Sequence, residues 1–174
     1  MPSLPASNDS PLVRTSFTSD TAWTTLLRRT AETNSEGFRA YVHPVDDKAW
    51  ADASPATLAK AAKESKVNAL VLFIADERAL REEGLPVLCV ELAPDWDGEE
   101  EPRTFRCVVA ELWAVENNLN IANMDWEDWE GALDEDGVHR GLTRGDNVQT
   151  GGEAPPLLLG EVPVMTLPTL KRPE

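Results

Sequence analysis

The stretch Ala69-Leu70-Val71-Leu72-Phe73-Ile74-Ala75 decides the fold. Seven apolar residues follow one another without alternation, which reads as a strand covered on both faces. Strands of that kind belong to parallel sheets that carry helices on either side.

The flanking segments agree. Upstream, Ser54-Pro55 is a helix start, with Ser as N-cap and Pro at the first helical position, and Leu58, Ala61 and Ala62 share one face. Before it, Phe38-Arg39-Ala40-Tyr41-Val42 reads as a strand that stops near Pro44. Earlier still, Asp20 caps a helix carrying Trp23, Leu26, Leu27 and Thr30 at the i, i+3, i+4, i+7 spacing, and Leu12 to Phe17 forms the first strand. Downstream, a short polar helix from Asp76 to Glu83 ends at Gly84 and leads to a strand over Val87 to Leu92.

The order βαβαβαβ predicts a parallel sheet with right-handed crossovers. The next link breaks the pattern. Residues 93–103 hold Pro, Gly and acids with no helical period, and Thr104 to Val109 is again a strand, which suits an antiparallel hairpin. Centred on Gly98, that hairpin sets Cys89 opposite Cys107, two small buried residues rather than a redox switch. Two helices follow. Glu111 to Asn118 turns Leu112, Val115 and Leu119 inward, and a helix begun by Asn123 or Asp125 does the same with Trp126, Trp129 and Leu133, the two tryptophans being core anchors.

The expectation is an α/β fold: a single domain over 11–144 with a mainly parallel sheet, an antiparallel edge hairpin and flanking helices, closed by Gly137 and Gly141. Residues 1–10 read as a flexible N-terminal arm and 145–174 as a Pro-rich tail. The tail is apolar between Pro155 and Pro168, and is either an extended arm lying on its own domain or a peptide offered to a partner.

Charge carries the functional reading. The chain has 174 residues with 31 Asp and Glu against 16 Lys and Arg, a net charge of −15. That balance excludes a phosphate-neutralising nucleic-acid binder and a module that docks on anionic lipid. The excess is local: residues 91–136 hold 15 acids and two bases, Arg103 and Arg106. Four of the six tryptophans fall in the same window. Acids solvating two outward helix faces would explain part of this. Between Cys107 and His139, however, there is no Lys or Arg to make the i, i+4 pairs that stabilise such faces. The candidate partner-binding residues are therefore Asp95, Asp97, Glu99, Glu100, Glu127, Asp128 and Glu130, facing a basic protein partner as an inhibitor or immunity protein does.

Other chemistry is thinly represented. Nucleophile-elbow, Walker A and dinucleotide-binding glycine motifs are missing, no catalytic residue is assigned and no cofactor is expected. Asp95 to Gly98 and Asp134 to Gly137 lack the glycine and glutamate spacing of a calcium loop, and two cysteines with His43 and His139 have no zinc spacing, so no metal is expected. A small-ligand or enzymatic site at the carboxyl ends of the strands is the alternative, with Asp76, Asp46 and Asp47 as its residues. Asn118, Asn120 and Asn123 could join Asp76 in it, although amides at a helix junction more often satisfy stray backbone groups. A tail-mediated adaptor is the third reading. The start of the chain has neither a basic segment nor an apolar core of a signal peptide, and the longest apolar run is too short to span a bilayer, so a cytoplasmic protein is expected.

Several motifs together carry a resemblance. They are Leu12-Val13-Arg14-Thr15 before Phe17, Phe73-Ile74-Ala75-Asp76-Glu77, Thr104-Phe105-Arg106, Asn117 to Trp126, and Asp136-Gly137-Val138-His139-Arg140-Gly141. Over about residues 10–142 the chain resembles a family of uncharacterised bacterial, actinomycete-type proteins containing a small α/β domain of unknown function. The resemblance implies one α/β domain and brings no catalytic residues with it.

Overall fold

Residues 2–141 are described by the computed structural model. Their six strands form one mixed sheet in the order β2-β1-β3-β4-β5-β6. The strands are β1 (Ser10–Arg14), β2 (Val42–Val45), β3 (Val71–Ala75), β4 (Pro86–Glu91), β5 (Thr104–Val108) and β6 (Val138–His139). The helices are α1 (Asp20–Ala31), α2 (Pro55–Glu64), α3 (Glu77–Arg81), α4 (Leu112–Asn120) and α5 (Trp126–Glu130). Among the described residues no helix is long and apolar enough to cross a membrane.

β3 is buried along its whole length, as its unbroken apolar run requires. Val71, Phe73 and Ala75 point into a core with α1, α4 and α5, while Leu72 and Ile74 point into a second core with α2 and Trp50. The chain puts helices on both faces because it reverses direction across the sheet. From β1 it steps to β2 through α1, then passes back over β1 to β3 through α2. Right-handed crossovers in opposite directions leave their helices on opposite faces. Leu4, in the segment read as an arm, lies in the second core, and its amide donates to Ser65 Oγ at 3.1 Å.

Four details differ from the expectation. First, β3 and β4 pair antiparallel, so β4 alone runs against the other strands. The link 76–85 contains only the five-residue α3, too little for the dozen or more residues of a parallel crossover. Second, β2 begins at Val42 and includes Pro44, which an edge strand tolerates because its missing N–H faces outward. Third, the β4–β5 register sets Cys89 against Phe105 and Val87 against Cys107, so the thiols are diagonal rather than opposite. Burial pushes both thiols up, and neither is a thiolate nucleophile at neutral pH. Fourth, β6 adds parallel to β5 outside the hairpin, between Gly137 and Gly141. Gly137 has a φ of 75° and closes the turn that aims β6 back at the sheet. The tail 145–174 lies outside the described residues.

Helix starts follow ordinary capping chemistry. Ser54 accepts from Thr57 N and Asp76 from Ala79 N. For α1 the cap is Ser19, which leaves the Asp20 carboxylate free for another role.

Candidate functional site

Three places on the domain gather polar chemistry. The first is the acidic face. Trp126 and Trp129 anchor α5 by packing on Phe105, tilted and stacked respectively, with ring centroids 4.7 and 6.4 Å away, and this holds the acids of α5 beside β5. At the start of β5, Arg103 donates to Glu127 at 2.6 Å and to Glu130 at 2.6 Å. The pairing holds the Glu127 carboxyl below the usual range. The acidic loop joins the same face, because Asp95, Asp125 and Trp126 line one cleft of about 230 Å³. Glu91, at its edge, is pushed up by burial and by the neighbouring charges of Glu127, Glu130 and Asp95, against the pull of Arg103.

The candidate partner residues thus come together in part. Glu127 and Glu130 are tied to Arg103, and Asp128 accepts from Asp125 N to complete a capping box. Asp97 accepts from Glu99 N within its own loop. Among the described residues no cation lies within 4 Å of the carboxylates of Asp95, Asp97, Glu99, Glu100 or Asp128. Compensation for crowding comes from a sequence-distant arginine, Arg103, here, and from the nearby Arg140 on Asp134 and Asp136. A search for i, i+4 partners could not have found the first of these.

The second place is the carboxyl end of the parallel strands. Arg14, at the end of β1, is buried, and donates to Asp20 at 2.6 Å, Asp46 at 3.2 Å and the Ser16 carbonyl at 3.0 Å. Its guanidinium also lies 4.5 Å from the Phe17 ring centroid. Asp76, after β3, caps α3 and accepts two bonds from Arg106 of β5, at 3.0 and 2.5 Å. Asp47 caps the short turn Lys48–Trp50. A cavity of about 470 Å³ opens between the loop after β1 and the start of α3, lined in part by Ser16, Thr18, Asp52 and Asp76. Asp46 and Asp76 therefore share this end of the sheet, each engaged with an arginine, Arg14 and Arg106 respectively.

The third place is the amino end. Asn120 accepts from Leu70 N at 2.8 Å and donates to Ser10 Oγ at 2.9 Å and Glu116 Oε1 at 2.7 Å. This separates it from Asp76 by the length of β3, so the candidate ligand set is split. Asn118 and Asn123 are elsewhere again, bonded to each other at 2.7 Å, where they close the end of α4. Glu116 is buried here, and burial pushes its carboxyl up.

These arrangements allow charge recognition on one face and small-molecule contact at either end of the sheet. No curated protein matches the chain. A family model described as a domain of unknown function, DUF6924, matches residues 9–142, and the chain belongs to that family.

Proposed function

We propose that the chain is a non-enzymatic protein-binding module that receives a basic partner on its acidic C-terminal face, in the manner of an inhibitor or immunity protein. One observation carries the reading: two acidic segments separated in sequence meet on one side of β5, with a single arginine between them. Concentrated like charge costs stability, and a cationic partner offsets that cost while the field accelerates encounter. The setting is a bacterial cytoplasm, in keeping with two unpaired buried cysteines and the family resemblance.

The test is capture from a host extract with wild type and with Asp95→Asn/Glu99→Gln/Glu100→Gln, at about 0.05 and 0.5 M salt. Basic proteins retained at low salt, and lost both at high salt and with the variant, support the reading. An identical retained set in all arms defeats it.

A second reading has its own observation, the cavity beside Asp76 where the sheet order reverses between β1 and β3. Open α/β sheets place ligands at such points. A tail-mediated adaptor would instead lose its partner on deletion of 145–174.

A further inference from the structure

The amino end of the sheet holds a cavity of about 520 Å³, a size that suits a small molecule. Its walls are mixed, with Ala62, Val67, Leu92 and Trp96 supplying apolar surface beside Asn68, Asn120 and two ionisable groups. Two of its lining groups can carry charge, Lys63 and Glu116. Lys63 is engaged, its ammonium donating to the Trp96 carbonyl.

Glu116 is different. It is 4 % exposed, and every donor it meets is neutral: Ser10 Oγ at 3.4 Å, Tyr41 N at 3.1 Å and Asn120 Nδ2 at 2.7 Å. Among the described residues no Lys, Arg or His reaches within 4 Å of it. Withdrawing a carboxylate from water without a counter-charge is expensive. A carboxylate also has about four acceptor positions, and three are filled here.

We propose that this cavity binds a small primary ammonium compound with an apolar body, its ammonium pairing with Glu116 and its body lying against Trp96 and Leu92. An ammonium supplies both missing elements, a positive charge and a further donor. An alcohol of the same shape supplies only the donor, and charge-assisted bonds are about twice as strong as neutral ones. The ligand class follows from that difference.

The experiment titrates the full chain with phenethylamine and hexylamine, and with 2-phenylethanol and hexanol as neutral counterparts, following amide NMR shifts. The expected result is saturable shifts at Leu70 N–H and the Asn120 side-chain amide with an amine, and about tenfold weaker binding of its alcohol. Glu116→Gln should abolish the amine preference. Ala93→Phe, at the cavity rim, should block both ligand types and keeps the test valid if Glu116→Gln fails to fold. The absence of localised shifts with both amines overturns the proposal, as does equal affinity for amine and alcohol. Amine binding that survives Ala93→Phe unchanged overturns it too.

Discussion

β1 has a buried charge near each end, and the two are treated in opposite ways. At its carboxyl end Arg14 is enclosed by two carboxylates, a carbonyl and an aromatic face. At its amino end Ser10 meets Glu116, a buried carboxylate surrounded only by neutral donors. The first is a closed ion network, complete within the domain. The second is hydrogen-bonded but electrically open, and it borders a cavity. A charge that is already matched serves the fold, whereas an unmatched one is available to a ligand.

The comparison breaks most visibly through Arg14. Arg14→Ala removes two charge-assisted bonds, a backbone bond and stacking on Phe17, and should lower unfolding free energy by about 3 kcal/mol. Chemical denaturation measures it, and a loss under about 1 kcal/mol would show that the network is dispensable. Asp76→Ala comes next. It deletes the cap of α3 and strands the half-buried Arg106, for an expected loss of about 2 kcal/mol. Asp76→Asn keeps an acceptor at the cap and should lose roughly half as much, which separates capping from pairing.

Glu116→Gln should cost about 1 kcal/mol or less at pH 7, because removing an unmatched charge offsets the imperfect amide geometry. Burial raises the Glu116 carboxyl above its ordinary value of 4.5, so folding favours the protonated form. Its stabilising contribution is full below pH 4.5 and is lost as pH rises through the raised folded value. The stability of wild type relative to Glu116→Gln should therefore increase as pH falls from 7 toward 4.5. Urea titrations of both proteins at several pH values check this, and a constant difference would mean that Glu116 has found a counter-charge.

The sheet was legible where periodicity speaks for both partners of a contact. The run 69–75 announced a doubly covered strand, and Ser54-Pro55 a helix start, because each signal is local. The β3–β4 pairing is not legible in the sequence because α3 looks like a crossover helix until its length is set against the width of the sheet. β6 escaped because two residues carry no period. The acidic window was visible as composition, but its internal bracing was not. Arg103 lies 24 residues before Glu127, and only the docking of α5 on Phe105 brings them together. Glu116 reads as one acid among the fifteen of 91–136, although its place four residues after Leu112 and three before Leu119 sets it on the inward face of α4.

Arg103 supplies the smallest and most selective test. Its partners are largely exposed, so the two ion pairs contribute little to stability and Arg103→Gln should leave Tm nearly unchanged. Its electrostatic effect is larger. The substitution removes the one cation that the described residues place among Glu91, Glu127 and Glu130, so the Glu91 carboxyl, already raised, should rise further. A basic partner would meet a more negative face and associate faster at low salt, with the gain vanishing as salt screens the field. Arg103 is then a brake on that face. Slower association of Arg103→Gln at low salt would instead mean that Arg103 orders Glu127 and Glu130 for contact, and that geometry outweighs net charge there.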